Sequence, residues 1–190
     1  MDNEKHRILK LLIENQEELF SIRKISRIRK INYKSAYYAL KNLGKEGIVT
    51  LKHSGNTTLC SFNKAFNDSV FSVESGRRRE LLRDKNFLVI YHDLSRVNVP
   101  FIALLFGSYA KGKQTKHSDI DLLVIAEDFK PIERVLSLFP IKIHTTDIRY
   151  KDFMQMLKSR EFTVVSEAIK KNIILIGIEE YYRLVNNAHR

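Results

Sequence analysis

The chain has 190 residues, 44% hydrophobic and 29% charged, a balance that excludes a disordered chain and a disulfide scaffold and suits one medium domain or two small ones. The single Cys60 cannot form an internal bridge, as a reducing compartment leads one to expect. The chain opens Met-Asp-Asn-Glu-Lys with no apolar leader, and no run approaches the roughly 18 apolar residues of a membrane span, so a soluble, cytoplasmic protein with no membrane partner is expected.

The net charge of +11 is unevenly spread. Residues 1–65 carry 13 Lys/Arg against 6 Asp/Glu, net +7, which leaves 20 against 16, net +4, for the rest. From Leu19 to Lys64 there are ten basic residues and one acid, Glu46. Such a segment is a candidate footprint for a phosphate backbone, although a solvated Lys-rich face has the same composition.

Residues 5–19 place Ile8, Leu11, Leu12 and Leu19 at helical spacing and predict an amphipathic first helix. Ser21 is an N-cap candidate for a short second helix, Ile22–Lys30, whose Ile22, Ile25 and Ile28 would bury one face. After a break at Ile31–Tyr33, residues Lys34–Lys45 form a third helix with Ala36, Tyr37, Leu40 and Leu43 inward, closed by Gly47. Two β-type runs follow, Ile48–Lys52 and Thr57–Phe62, joined by His53-Ser54-Gly55-Asn56, and predict a hairpin.

Three helices and a hairpin in that order, with Ser35-Ala36-Tyr37-Tyr38-Ala39-Leu40-Lys41-Asn42-Leu43 ahead of Gly47-Ile48-Val49, resemble the winged helix-turn-helix domains of prokaryotic transcription regulators. The resemblance implies binding to duplex DNA and often a homodimer. The third helix would enter the major groove, with Asn32, Tyr33, Lys34, Ser35, Tyr38 and Lys41 as contact candidates. Arg23, Lys24, Arg27, Lys30 and the wing from Lys52 and His53 to Thr57 would meet backbone phosphates.

Residues 63–77 have poor apolar period and read as a junction. A helix-like run from Gly76 to about Val97 follows, with Leu81, Leu82, Phe87, Leu88 and Tyr91 available to a core. The division is placed near residue 70, giving a domain at 1–68 and a second at 69–190 that begins with a linker helix.

The segment Pro100–Ile125 carries the chemistry. Phe101–Phe106 is a continuous apolar run, as in a strand covered on both faces. Gly107-Ser108 ends it where a helix could begin, and a glycine, a hydroxyl and helix N-terminal amides together make a cradle for phosphate. Ten residues later Asp119 and Asp121 open a strand continued by Leu122-Leu123-Val124-Ile125. Residues i and i+2 share a face of a strand, so the two carboxylates project together. Bare, they would repel, and a hard divalent cation completed by substrate phosphates, Mg²⁺ or Mn²⁺, resolves the conflict.

Gly-Ser, ten residues and Asp-x-Asp between apolar strands is similar to the signature of the DNA polymerase beta nucleotidyltransferase superfamily. The forms Gly-Ser-Tyr-Ala-Lys-Gly and Ser-Asp-Ile-Asp-Leu most resemble its minimal members. The resemblance covers roughly residues 80–184 and includes Ile173–Gly177 as a closing strand. It implies an α+β chain: the winged helix-turn-helix, then a mixed β-sheet flanked by helices. It also implies a triphosphate at Gly107 and Ser108, with Lys113 and Ser118 as further nucleotide-binding candidates, and catalytic metals on Asp119 and Asp121. The activity implied is transfer of a nucleoside monophosphate from a nucleoside triphosphate to a hydroxyl of a small molecule, a nucleic acid end or a toxin-like protein partner.

The same resemblance implies a third carboxylate on a later strand, and here the sequence departs. In Pro140–Thr145 the expected positions hold Lys142 and His144. Asp147 is the nearest acid, a metal-ligand candidate that could instead cap the helix Arg149–Lys158; Asp152, inside that helix, is weaker. The departure supports an alternative, a transcription regulator whose nucleotidyltransferase domain is inactive and serves as nucleotide sensor or assembly module. Phe153, Phe162, Tyr181 and Tyr182 are read as packing residues, and Cys60 as a small apolar one.

Overall fold

The computed structural model describes residues 2–115, 117–159 and 164–188, and Phe162 lies outside them. The chain divides into two compact units, Met1–Val73 and Glu74–Arg190.

In the first unit, helix α1 is Asp2–Glu14, strand β1 Phe20–Ser21, helix α2 Ile22–Arg29, helix α3 Tyr33–Lys45, strand β2 Val49–Ser54 and strand β3 Thr57–Phe62. The strands form an antiparallel sheet in the order β1-β3-β2. Local chemistry explains the helix starts. Ser21 Oγ accepts from Lys24 N at 3.1 Å and caps α2, and Asn32 Oδ1 accepts from Ser35 N at 2.7 Å and caps α3. Helix α2 ends on Lys30, a left-handed residue at φ 53 whose N–H returns to Arg27 and Ser26.

The core of this unit gathers Ile8, Leu9, Leu12, Ile25, Ala36, Leu40, Leu43, Cys60 and Phe62. Three apolar or semi-apolar residues expected inside are outside: Leu19 is 60% exposed, beyond the end of α1, Ile28 is 44% exposed and Tyr37 39%. A spacing of three drifts around a helix of 3.6 residues per turn, so Ile22 and Ile25 reach the core and Ile28 turns away.

Helix α4, Asp68–Leu81, spans the division between the units and starts inside the stretch expected to be a junction. The helix-like run expected from Gly76 to Val97 is broken at Leu82–Asp84, where Asp84 caps a separate helix α5, Lys85–Leu94. The second unit continues with strand β4 Phe101–Phe106, helix α6 Gly107–Ala110, strand β5 Ile120–Ala126, helix α7 Lys130–Leu136, strand β6 Ile143–Ile148, helix α8 Tyr150–Ser159, helix α9 Val164–Lys170, strand β7 Ile173–Ile176 and helix α10 Ile178–Ala188.

Four strands form a mixed sheet in the order β6-β5-β4-β7, antiparallel except for the parallel pair β5 and β6. Alternation assigns the faces. Ala103, Leu105, Ile120, Leu122, Val124 and Ala126 turn to one face, buried with Phe87, Ile90 and Leu94 of α5 and Ile132 and Leu136 of α7. Ile102, Leu104, Leu123 and Ile125 turn to the other and are equally buried, and α8, α9 and α10 pack against β4 and β5. Burial on both faces is why β4 and β5 read as unbroken apolar runs. The second unit is thus a mixed α+β fold with helices flanking a four-stranded sheet.

A polar cluster lies inside this unit. Glu74 and Arg77 of α4 are buried, with Arg77 Nη1 donating to Glu74 Oε2 at 2.6 Å and Nη2 to the Asn172 carbonyl. Tyr182 Oη of α10 donates to Glu74 Oε1 at 2.6 Å. Burial, and then the neighbouring Glu74 carboxylate, push the Tyr182 phenol well above its usual range. Phe153, Tyr181 and Tyr182 are fully buried, as packing residues are.

Candidate active site

Strand β5 begins at Ile120, with Asp119 just ahead of it and Asp121 within it. Asp121 pairs with Phe106 on β4, so the carboxylates stand where β4 ends and α6 begins. There the chain turns through Gly107 at φ +69, and a Cβ on Gly107 would sit 2.1 Å from Asp121 Oδ2. The glycine was expected to open room for a phosphate; the space its missing side chain leaves is held by a site carboxylate. Helix α6 is a single turn of four residues, so little helix dipole gathers behind Ser108.

The connection to β5 is folded back on itself. Ser108 O accepts from Lys113 N at 2.9 Å, and Ser118 Oγ accepts from Thr115 N at 2.8 Å. The Ser118 hydroxyl therefore pins the loop that delivers Asp119, while the Lys113 side chain is exposed. Lys111 Nζ reaches Glu167 Oε2 of α9 at 3.0 Å and ties the end of α6 to that helix, a contact between residues 56 positions apart in the chain.

Strand β6 supplies the other wall. Its parallel register sets Ile143 beside Ile120 and His144 beside Asp121, and Ile120 N donates to Lys142 O at 3.0 Å. Neighbours in register share a face, so Lys142 and His144 join Asp119 and Asp121. Lys142 Nζ donates to Asp119 Oδ2 at 2.8 Å; His144 Nδ1 lies 3.7 Å from the same oxygen and 3.8 Å from Asp121 Oδ1. The Lys142 hydrogen bond holds the Asp119 carboxyl below the usual aspartate range, aided by the charges of Lys142 and His144 and opposed by some desolvation.

Asp147 is in register with Val124, an odd number of residues from His144, and so belongs to the opposite face of the sheet from Asp119 and Asp121. It neither joins the carboxylate pair nor lies beyond the strand as a cap: it is inside β6, where Thr145 Oγ1 donates to its Oδ2 at 3.5 Å. Its partial burial, and next the Glu133 carboxylate of α7, raise its pKa. Asp152 lies in the first turn of α8.

Among the described residues no group of three or more His, Cys, Asp or Glu side chains is arranged to hold a metal ion unaided. Asp119 and Asp121 nevertheless fit one hard divalent cation, which commonly takes one or two protein carboxylates and completes its shell with water and substrate phosphates. What they lack is a third carboxylate.

The candidates in the first unit lie mostly in solvent. Arg23, Lys24, Arg27, Lys30, Asn32, Tyr33, Lys34, Tyr38, Lys41, Lys52 and His53 are exposed, and Ser35 is half-buried. Lys34, Tyr38 and Lys41 share one face of α3, and Arg23 and Tyr33 line a groove with Asn56, Thr57 and Thr58 of the hairpin. Asn32 has a local task as the cap of α3, and Lys24 is engaged by Glu18 at 3.3 Å. Arg29 is turned inward, its guanidinium donating to the Arg7 carbonyl.

Residues 89–181 match the family described as Polymerase beta, Nucleotidyltransferase. One similar solved structure is described as "Crystal structure of the toxin-antitoxin with AMP-PNP"; it is 18% identical over 52% of this chain and 83% of its own, with a TM-score of 0.34. No curated protein matches the chain. No helix among the described residues is long and apolar enough to cross a membrane.

Proposed function

We propose that the second unit binds a nucleoside triphosphate at Gly107, Ser108, Asp119 and Asp121 and transfers its nucleoside monophosphate to a hydroxyl acceptor, and that the first unit is a winged helix-turn-helix that carries this activity to duplex DNA. The observation that supports the transferase reading most is Asp121 packed against the Gly107 turn, with Asp119 on the same face two residues before it, inside a segment that matches a nucleotidyltransferase family.

Asp119 and Asp121 would hold Mg²⁺ or Mn²⁺. When bound, the ion neutralises phosphate charge and polarises the reacting phosphoryl oxygen. The chain's own residues position the rest. Ser108 offers a hydroxyl beside the turn, and Lys142 offers an ammonium on the same wall as the carboxylates. The acceptor oxygen bonds to the α-phosphorus, the bond from that phosphorus to the α,β-bridging oxygen breaks, and pyrophosphate leaves. The acceptor hydroxyl proton passes to the imidazole of His144, whose Nδ1 lies 3.7 Å from Asp119 Oδ2 and 3.8 Å from Asp121 Oδ1. Most of the rate would come from positioning and charge complementarity.

One observation favours a second reading. Lys142 and His144 stand on the wall where the third carboxylate is expected, which suits a regulator whose nucleotidyltransferase domain senses a nucleotide or mediates assembly without turnover. Incubation with Mg²⁺ and labelled triphosphates, with and without a protein partner, separates the two. Label transfer that Asp119→Ala and Asp121→Ala both abolish excludes the sensor-only reading; triphosphate binding with no transfer to any acceptor class excludes the transferase.

A further inference from the structure

We propose that Lys142 takes the place of one of the two metal ions of a two-metal transferase, so that this site accepts a nucleoside triphosphate with a single divalent cation. The inference rests on the nucleotide-binding reading above and concerns the charge that completes the site.

Two-metal sites hold their ions about 3.5–4 Å apart and need carboxylates enough to ligate both. Here the site face of β6 presents Lys142 and His144 beside Asp119 and Asp121, with no acid among them. The ammonium of Lys142 is already on Asp119 Oδ2 at 2.8 Å, a distance within the range for a charge-assisted hydrogen bond. A second divalent ion at Asp119 would displace that bond and sit close to the positive charge of Lys142, whether the ammonium stays on the carboxylate or turns to a bound phosphate. His144 is 3.7 and 3.8 Å from the two carboxylates, where a third acid would have to stand to bridge them, and an imidazole brings no negative charge to offset another ion. One cation can still be shared by Asp119 and Asp121, since a hard divalent ion commonly takes one or two protein carboxylates. Lys142 is two-thirds exposed and long enough to leave Asp119 for an incoming phosphate, so its charge serves the carboxylate in the free protein and the triphosphate in the complex.

The test counts bound Mn²⁺ by electron paramagnetic resonance in the full chain with a triphosphate that cannot be cleaved between its α- and β-phosphates. The wild type is expected to hold one Mn²⁺ per ternary complex and the His144→Asp/Lys142→Ala double variant two. Two Mn²⁺ in the wild type would overturn the proposal. Without nucleotide, Lys142→Ala should bind Mn²⁺ about two- to five-fold more tightly, the range expected for loss of an exposed competing ion pair, and Lys142→Arg should match the wild type. No tightening in Lys142→Ala, with an unchanged circular dichroism spectrum and urea midpoint, also overturns it. A wild type that retains no triphosphate with Mg²⁺ or Mn²⁺ defeats the nucleotide-site reading itself, a result distinct from retention with two ions.

Discussion

The carboxylate of Asp121 fills the space that a side chain on Gly107 would occupy, with Oδ2 only 2.1 Å from where a Cβ would lie. The turn and the carboxylate strand are therefore fitted to each other, and Gly107 serves Asp121 before it serves any ligand. Alanine there has two defects: φ +69 costs a residue with a Cβ roughly 1–2 kcal/mol, and Asp121 must move. Gly107→Ala is expected to lower unfolding stability by at least that amount and, if the proposed site binds a triphosphate, to weaken that binding about ten-fold or more by displacing the Asp121 carboxylate. In a double-mutant cycle, adding Asp121→Ala should recover part of the stability loss, because the clash goes and the strain stays. Additive losses in urea denaturation would show that the two residues do not compete for one space.

How much of this was legible beforehand depended on whether a feature was local. The runs Phe101–Phe106 and Ile120–Ala126 declare buried strands by composition alone, and Ser21 announces the start of α2. The opposite facing of Asp147 was also legible: it lies an odd three residues past His144 on one strand, and the alternation that grouped Lys142 with His144 separates Asp147 from them. The contact of Gly107 with Asp121 needs the β4–β5 register, and the pair Lys142–Asp119 needs the parallel register of β5 and β6; neither is written in any single segment. The first half of α4, ahead of Gly76, reads as a junction in the sequence because part of what the helix buries is polar, Glu74 and Arg77, whose partners Asn172 and Tyr182 lie about a hundred residues away.

That buried cluster should dominate the stability of the second unit. Removing one partner of a buried ion pair leaves the other charge uncompensated, so Arg77→Met is expected to cost about 3–5 kcal/mol. Tyr182→Phe, which removes the 2.6 Å hydroxyl bond to Glu74, should cost about 1–3 kcal/mol. The double change Glu74→Leu/Arg77→Met should cost less than Arg77→Met alone, because no charge is then stranded. Equilibrium urea unfolding decides it, and a double variant worse than the single would mean that the cluster contributes net stability as an ion pair.

Asn32 and Lys34 are two residues apart but should behave differently. Asn32 Oδ1 caps α3 through the Ser35 N–H, so Asn32→Ala is expected to cost about 1 kcal/mol and Asn32→Ser to restore most of it. Lys34 is exposed, and Lys34→Ala should leave stability within about 0.5 kcal/mol. If α3 meets phosphates, Lys34→Ala should reduce the slope of log affinity against log salt for duplex DNA by about 1. Thermal unfolding and salt-titrated fluorescence anisotropy measure the two effects, and an unchanged slope would remove Lys34 from the interface.

Asp147 provides the pH test of which acids belong to the nucleotide site. Its folded-state pKa is raised, by partial burial first and by Glu133 second, so its contribution to stability is complete below the ordinary aspartate range and is lost as pH rises through the raised value. Asn at this position cannot ionise, so Asp147→Asn should gain stability relative to the wild type between about pH 3 and pH 7. The gain should be roughly a few tenths of a kcal/mol, since the burial of Asp147 is only partial and water still screens its charge. Triphosphate and Mn²⁺ binding should be unchanged in the same variant, because the residue faces away from Asp119 and Asp121. Unfolding midpoints at the two pH values test the first half and metal titration the second. A variant that loses stability at neutral pH together with Mn²⁺ affinity would return Asp147 to the metal site and break the facing rule on which the geometry of β6 rests.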